Sequence, residues 1–293
     1  MKNLSKFFLC LSLVFLFLFN SSGTNQQAQT TPPLTVQQVK GNIYEVKGGS
    51  GANTGFFIGE KEVLVIDAKM SIESMKQTIE EIKKLTPNPI TYAVLTHSDG
   101  DHVNGLIALP ETVKIIAHSQ ARKDLDEAFK EPVQRAYLPQ LTFSEKLNFY
   151  SGKKVINFIH FGPAHTSGDV VVYFPEEKVA FLGDLLFIGR DPLVHRHKNG
   201  NSFGLVKNLK GVLELEADTF IHGHGDIASR SDVEGLIKSL EEKQEKIKSL
   251  IKDGKSLDEI KKIFNVEDRP TQPGAGRFIS LVETIYLELT EKK

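Results

Sequence analysis

Short apolar runs alternate with amphipathic stretches along most of this 293-residue chain, from about Val36 onward. Runs rich in apolar and β-branched residues between turn residues predict strands. Apolar residues that recur three or four positions apart predict helices. The strands are expected at residues 43–46, 55–58, 63–66, 92–95, 114–117, 155–161, 170–174, 179–182 and 219–221. The helices are expected at residues 72–85, 119–130, 202–215, 232–252, 257–264 and 276–290.

The order of these elements predicts the architecture. Each half of the chain opens with consecutive strands and then turns to alternating strands and helices, and the second half begins near Leu147. Two sheets packed face to face with helices outside, a four-layer αββα sandwich of the α/β class, accommodate that order. We expect this domain over residues 35–230, followed over residues 231–293 by a helical C-terminal extension packed on it.

The first 23 residues have the features of a secretory signal peptide. Lys2 and Lys6 precede an apolar run at residues 7–19, and small polar residues follow it up to Gly23. This order is typical of a protein exported to the periplasm or secreted, with cleavage expected near Gly23. A membrane anchor is the alternative, but a run of 13 residues is shorter than the ~20 needed to span a bilayer. Residues 24–34 are expected to be a flexible lead-in.

The net charge and the cysteine content exclude several kinds of partner and site. The formal net charge is −1, with 36 basic and 37 acidic side chains, so no overall positive charge attracts nucleic acid or an anionic membrane. The single cysteine, Cys10, lies within the predicted signal peptide. A mature chain without cysteine has no disulfides, thiolate ligands or cysteine nucleophiles. We therefore expect no nucleic-acid partner, and no membrane partner after cleavage, while the oligomeric state is left open.

The densest group of chemically active side chains follows the predicted strand at 92–95. His97, Asp99, Asp101 and His102 lie within six residues, separated only by a serine and a glycine. Neutral imidazoles and carboxylates are suitable ligands for zinc, iron and manganese. A tight loop allows the backbone to aim several of them at one point. Taken alone, the same cluster also fits a solvated polar turn.

Three later loops, each following a predicted strand, carry further residues of the same kind. They hold His165, Asp184 and the pair His222 and His224. Each of these alone fits a structural role, as a hydrogen-bonding histidine or a turn aspartate. Their occurrence together, each at the end of a strand, favours a metal site at one edge of the sandwich.

In this order the four segments resemble the successive motifs of the metallo-β-lactamase superfamily, over roughly residues 36–230. The resemblance implies an αββα fold with one or two metal ions at the edge of the sheets. It assigns the first metal to His97, Asp99 and His165, the second to Asp101, His102 and His224, and the bridging position to Asp184. His224 rather than His222 matches the histidine of the family's Gly-His-Gly turn.

One position departs from the family pattern. The first motif usually reads His-x-His-x-Asp-His, whereas Asp99 stands here in place of the second histidine. A glutamate occupies that place in the flavodiiron branch, whose metals are iron. A carboxylate makes the site harder and more negative, which shifts its preference from zinc toward iron or manganese. We expect two divalent metal ions, zinc ahead of iron or manganese; the alternative is that Asp99 does not ligate and one site is lost.

Five further residues are expected near the metals or the substrate on weaker grounds: Asp67, Asp169, His195, His197 and His222. The resemblance implies that the first of these, which ends the strand at 63–66, supports the ligand loop from behind. The histidines at 195 and 197 lie in a basic loop, residues 189–200, that borders the substrate cleft in the family. A basic loop there suggests an anionic substrate, although an ordinary solvated loop fits about as well.

The predicted function is that of an exported metal-dependent hydrolase acting on a small molecule. The resemblance implies a hydroxide bridging the metals that attacks the substrate, while Asp101 orients it and passes a proton to the leaving group. Ester, lactone, amide (including β-lactam) and phosphoester bonds all fit, because a fold alone does not select a substrate. Two alternatives remain: a di-iron redox or oxygen-handling protein, suggested by Asp99, and a non-catalytic metal- or ligand-binding protein.

Overall fold

The computed structural model describes residues 32–267 and 279–291. The predicted signal peptide and most of the predicted lead-in fall in residues 1–31, outside the described residues. The described residues belong to one structural unit, which begins at Thr31. None of the helices in the two described ranges is long and apolar enough to cross a membrane.

Two mixed sheets form the centre of the fold. The first has seven strands that neighbour one another in chain order: β1 (Thr35–Lys40), β2 (Ile43–Lys47), β3 (Thr54–Ile58), β4 (Val63–Ile66), β5 (Ile90–Val94), β6 (Lys114–His118) and β7 (Leu141–Phe143). Strands β1 to β4 pair antiparallel, and β4 to β7 pair parallel.

The second sheet has six strands, which also neighbour one another in chain order. They are β8 (Lys146–Ser151), β9 (Lys154–Ile159), β10 (Val171–Phe174), β11 (Val179–Phe181), β12 (Thr219–Ile221) and β13 (Ala228–Ser229). Strands β11 and β12 pair parallel, and the other neighbours pair antiparallel.

Helices cover the outer faces of both sheets. They are α1 (Ile72–Leu85), α2 (Gly100–Val103), α3 (Ser119–Ala128), α4 (Pro132–Arg135), α5 (Ser202–Glu214), α6 (Arg230–Lys252), α7 (Leu257–Ile263) and α8 (Leu281–Thr290). Helices α1 and α3 share an apolar cluster with the first sheet. Helices α5, α6 and α8 share another with the second sheet.

Strand β4 illustrates how the sequence builds four layers. Val63 and Val65 belong to the cluster that contains α1 and α3, whereas Leu64 and Ile66 belong to the cluster between the two sheets. Alternate side chains of a strand point to opposite faces, so a continuous apolar run buries both faces at once. All four side chains are fully buried. The arrangement of helix, sheet, sheet and helix confirms the predicted αββα fold class.

The strands that the sequence pattern does not predict are β1, β7, β8 and β13, and these are the four edges of the two sheets. Edge strands face solvent on one side and carry more polar residues. The first of them, TVQQVK, is mostly exposed and has no regular apolar alternation. The predicted helix at 276–290 begins, within the described residues, at Leu281, where Ser280 caps it by accepting a hydrogen bond from the backbone of Glu283.

The loops that follow β2, β4, β5, β9, β11 and β12 lie at one edge of the sandwich. Backbone hydrogen bonds join the loops of the two sheets, since Val170 N donates to Thr96 O (2.7 Å) and Asn53 N donates to Gly223 O (2.7 Å). The polar segments named from the sequence are therefore held together at this edge by main-chain contacts as well as by side chains.

Candidate metal centre

The loop after β5 carries four of the candidate side chains within six residues, 97–102, that lead into helix α2. Asp99 is the N-cap residue of α2, yet its carboxylate makes no capping hydrogen bond and faces other side chains instead. His102 N donates to Asp99 O (2.9 Å), which closes the turn. The rings of His97 and His102 lie side by side, with centroids 4.2 Å apart.

All seven side chains predicted as ligands come together at this edge. Three sets of three have donor atoms within 4.8 Å of one another, and the third of them, His97, His102 and Asp184, connects the other two. We call His97, Asp99 and His165 the first triad, and Asp101, His102 and His224 the second triad.

Asp184 lies between the two triads. Its Oδ1 is 3.1 Å from His102 Nε2, and its Oδ2 is 3.2 Å from His224 Nε2 and 4.0 Å from His165 Nε2. One carboxylate thus reaches imidazoles of both sets. This is the position from which a single side chain can bridge two metal ions.

Three atoms of the cluster are buried and make no well-aligned hydrogen bond within the described residues: His97 Nε2, His102 Nε2 and Asp184 Oδ1, the last two of which face each other at 3.1 Å. A buried polar atom left unpaired costs about 1–3 kcal/mol. Cations bound among these atoms satisfy all three, and nitrogen with carboxylate oxygen is a donor set that divalent metals accept. The residues present therefore fit divalent metal ions.

The charge distribution also favours cations. Burial lowers the pKa of His165, but Asp99 and Asp184 outweigh it and raise that pKa to about 9. Contacts with Asp101 and Asp184 raise the pKa of His224 to about 9 as well. The carboxylates thus stabilise positive charge at the inward nitrogens, which is the charge that bound metals supply.

Hydrogen bonds behind the triads determine which imidazole nitrogen faces inward. Asp67 Oδ2 accepts from His102 Nδ1 (2.8 Å) and from Thr96 Oγ1 (2.7 Å). Thr96 Oγ1 in turn lies 3.0 Å from His97 Nδ1, from which it accepts. With both Nδ1–H groups engaged, each Nε2 presents its lone pair toward the centre. This places Asp67 behind both His97 and His102.

The turn that carries His165 is supported separately. His165 Nδ1 donates to Leu193 O (2.9 Å). Asp169 accepts from the backbone N (2.9 Å) and the hydroxyl (2.6 Å) of Thr166, the residue after His165. Asp169 therefore holds the turn itself, and its hydrogen bonds reach the triads only through Thr166.

Close packing explains the glycine that precedes His224. A Cβ at Gly223 would lie 2.2 Å from Asp184 Oδ1 and 2.8 Å from His102 Cε1. Any side chain at this position would displace the central carboxylate. The glycine is thus required by the approach of this loop to the site.

Comparison with known proteins identifies the family. The sequence model of the metallo-beta-lactamase superfamily matches residues 48–224, a range that contains both triads and Asp184. The chain belongs to the metallo-β-lactamase superfamily. Members of this superfamily are metallo-hydrolases, so the chain falls in a class of metal-dependent hydrolytic enzymes.

Relatives within the superfamily differ in what they act on. The metallo-beta-lactamase type 2 of Elizabethkingia meningoseptica is 30% identical over 177 residues, which are 57% of this chain and 68% of that protein. The hydroxyacylglutathione hydrolase GloC of Haemophilus influenzae is 31% identical over 185 residues, 57% of this chain and 81% of that protein. A solved metallo-beta-lactamase from Pontibacter korlensis shares the fold, with a TM-score of 0.62, 18% identity and coverage of 71% of this chain and 99% of that one.

In this superfamily member the basic loop at residues 189–200 contacts the first triad. His195 Nε2 lies 2.9 Å from Asp99 Oδ2. Lys198 Nζ donates to Asp99 Oδ1 (2.7 Å). His197 is exposed and lies outside both triads, with its ring 5.1 Å from that of His195. The two histidines expected near the substrate thus differ, because one reaches the candidate ligands and the other does not.

His222 also lies outside both triads. Its ring is buried, and neither ring nitrogen has a hydrogen-bond partner among the described residues. Its backbone O accepts from Asn53 Nδ2 (3.1 Å), which ties this loop to the first sheet.

Two residues at the site are missing from the sequence prediction. Thr96, which links His97 to Asp67, precedes the ligand motif directly, and that position was an available signal. Lys198 carries no comparable signal, because the sequence indicates it only as one cation in a basic loop.

Proposed function

We propose that this chain hydrolyses a small acyl compound with two divalent metal ions held by the triads and Asp184. The observation that carries the proposal is the convergence of seven buried or half-buried ligand-type side chains, three with unpaired inward atoms. Acyl substrates are preferred over phosphoesters because the two relatives above are named for a lactam and a thioester. An ester, lactone, thioester or amide, including a β-lactam, fits this description.

The proposal assigns one ion to each triad and Asp184 to both. Bound ions of this kind act as Lewis acids and make water nucleophilic near neutral pH. We expect zinc, with iron or manganese as the alternative that Asp99 favours.

Asp101 is the carboxylate best placed to move a proton. Its side chain is 29% exposed, against 5% for that of Asp184, so a substrate can reach it. Its Oδ2 lies 3.1 Å from His224 Nε2, which leaves Oδ1 to orient the attacking water and to carry a proton to the leaving group. Burial raises the pKa of Asp101, but contacts with His224 and His102 outweigh it and lower that pKa.

The mouth of the site offers a cation to the substrate. The guanidinium of Arg190 lies 4.5 Å from the centroid of the Phe187 ring, which stacks on the imidazole of His224 at 5.9 Å. Arg190 is exposed and has no ion-pair partner among the described residues. We infer that the substrate carries an anionic group. Export, expected from residues 1–23, stays a prediction of the sequence.

Metal analysis is the first test. We expect about two equivalents of metal in the purified protein, and far less in Asp184→Asn, together with a loss of activity of about 10³-fold or more. Asp218→Asn is the matched control, because Asp218 is exposed and pairs only with Lys40 and Thr219 among the described residues. It should keep both metals.

A substrate panel is the second test. Chromogenic β-lactam, aryl ester, lactone, thioester and phosphodiester substrates are assayed before and after chelation. We expect acyl turnover that chelator abolishes and metal restores. Less than roughly 0.1 equivalent of metal after incubation with zinc, manganese or iron contradicts the metal centre. Bound metal without turnover indicates a binding protein, and iron whose absorbance changes on reduction indicates the redox alternative.

A further inference from the structure

The two carboxylate oxygens of Asp99 face different partners. Oδ2 lies 3.1 Å from His165 Nε2 and 3.7 Å from His97 Nε2 of the first triad, and 2.9 Å from His195 Nε2 of the basic loop. Oδ1 lies 2.7 Å from Lys198 Nζ. One oxygen thus belongs to the candidate metal position, and the other is held by an ammonium group.

The ammonium group of Lys198 donates its hydrogen bonds to Ser98 and Asp99. Besides Asp99 Oδ1, its Nζ donates to Ser98 O (3.2 Å) and Ser98 Oγ (3.1 Å). Ser98 Oγ in turn donates to Asp124 Oδ2 (3.1 Å), which fixes its orientation. The three acceptors use all three protons of the ammonium group, so Lys198 has no proton left to offer a substrate.

The backbone keeps Lys198 in place independently of its charge. His195 N donates to His165 O (2.8 Å), and Ser167 N donates to Lys198 O (3.0 Å). The loop of Lys198 is therefore bonded to the turn that carries His165, itself a member of the first triad. The side chains of Lys198 and Asp99 are 22% and 14% exposed, so water screens their interaction only in part.

The ion pair of Asp99 and Lys198 affects the net charge of the cluster. A histidine at position 99 would present a neutral ligand, whereas Asp99 adds a negative charge to a cluster that already contains Asp101 and Asp184. Lys198 adds a compensating positive charge next to the oxygen that does not face the triad. The pair together is neutral, as an imidazole would be.

We propose that Lys198 is a positioning residue for Asp99: it holds Oδ1, balances the charge of the carboxylate, and enables Asp99 to serve in the first triad where a neutral imidazole would otherwise stand. This inference rests on the metal centre of the proposed function. It assigns the basic loop to metal binding and leaves Arg190 as the cation that meets the substrate.

The test measures metal affinity. Zn²⁺ is titrated into the metal-free protein against a chromogenic chelator and fitted to two sites, and the visible spectrum of the Co²⁺-loaded protein reports the geometry of each site. Lys198→Met should weaken one of the two sites by about 10- to 100-fold and leave the other unchanged, because the loss of the contact that orients Asp99 outweighs the repulsion between the ammonium and the metal that is removed with it. Lys198→Gln, which keeps a donor for Ser98 but loses the charge, should behave likewise. Lys210→Met, which removes a lysine paired with Glu241 on the surface, is the control and should change neither site.

The decisive comparison is made in an Asp99→His background. There the ammonium has no carboxylate to balance and repels the metal, so Lys198→Met should strengthen the same site by about tenfold. A purely structural role of Lys198 predicts weakening in both backgrounds, and that result overturns the proposal. Unchanged or increased Zn²⁺ affinity in Lys198→Met overturns it as well. A parent protein that binds no metal contradicts the proposed function and this inference together, whereas the first two results leave the proposed function standing.

Discussion

The two triads are supported in opposite ways. Behind the second triad, the imidazole of His102 is backed by a carboxylate, with Asp67 Oδ2 at 2.8 Å. In the first triad, the carboxylate of Asp99 is backed by an ammonium, with Lys198 Nζ at 2.7 Å. Asp67 places a negative charge behind a neutral imidazole, whereas Lys198 places a positive charge behind a carboxylate. The opposition concerns His102 and Asp99 themselves, because Asp67 also reaches His97 of the first triad through Thr96.

The supports also differ in rigidity. Asp67 directly follows β4 in the middle of the first sheet and is 3% exposed. Lys198 ends a short 3-10 turn, Arg196–Lys198, in a loop, and its side chain is 22% exposed. We therefore expect substitutions behind the second triad to have the larger effects, and substitutions around the loop of the first triad to be more easily tolerated.

The largest effect is expected from Asp67→Ala. Its carboxylate supports His102 directly and His97 through Thr96, so its loss frees the tautomers of one imidazole in each triad. Metal affinity should fall by about 100-fold, at the upper end of what such supporting groups contribute. Chelator competition with Zn²⁺ measures this, with urea unfolding in parallel to separate folding from binding.

The control for this experiment is Asp169→Ala. Asp169 is also a buried carboxylate, but its side chain bonds only to Thr166 among the described residues. The Asp169→Ala variant should have a lower free energy of unfolding, but its metal affinity should fall less than that of Asp67→Ala. Equal losses of affinity in the two variants would mean that the contrast between the triads does not lie in the group behind His102.

The two supporting groups also differ in how well the sequence predicts them. The loop of Asp99 and His102 follows β5, and the loops of His165, Asp184 and His224 follow other strands of the sandwich, so the convergence of these loops follows from strand order. Asp67 has the same kind of signal, because it ends β4. Lys198 is 99 residues from Asp99, and their contact depends on the path of an irregular loop in which Asn199 has a φ of +54°. The hydrophobic periodicity that predicts strands and helices does not predict the path of such a loop.

The same reasoning applies to the fold. Inner strands such as β4 are apolar on both faces, so their sequences predict them and, with their order, the sandwich. The edge strands face water and are selected partly by the contacts of a single neighbour, as in β8, KLNFYS, which pairs with β9. A mixed sequence of this kind fits a loop as well as a strand. The sequence therefore predicts the centre of each sheet better than its boundaries.

An effect of intermediate size, on the free energy of unfolding, is expected from a buried carboxylate that has no partner comparable to His102 or Lys198. Glu45 on β2 is 1% exposed, and neither carboxylate oxygen has a hydrogen-bond partner among the described residues. Burial raises the pKa of Glu45 to about 7, although Lys47 opposes the rise. Below pH 4.5 the group is protonated whether the chain is folded or not. Between pH 4.5 and 7 the unfolded chain ionises first, so the free energy of unfolding falls as the pH rises.

Glu45→Gln should remove this loss. Relative to the parent, the variant should gain on the order of 2 kcal/mol at pH 8 compared with pH 5, since relaxation reduces the full burial penalty. Urea unfolding of both metal-free proteins at the two pH values measures it, and the titration of the site histidines cancels in the difference. A parent and variant that differ equally at both pH values would show that Glu45 is paired and ionised in the folded chain.

The smallest effect is expected from Arg196→Ala, which tests what holds the loop of the first triad. Arg196 pairs with Glu291 just beyond α8 (3.1 Å), but the side chains are 25% and 54% exposed, and exposed ion pairs contribute little. The backbone hydrogen bonds of His195 and Lys198 to the turn of His165 remain in the variant. The melting temperature should change only slightly and Zn²⁺ affinity should stay within about twofold, as in the matched variant Glu291→Ala. If either variant instead weakens Zn²⁺ binding as much as Lys198→Met does, the C-terminal helix governs the first triad, and its position relative to the loop becomes part of the metal site.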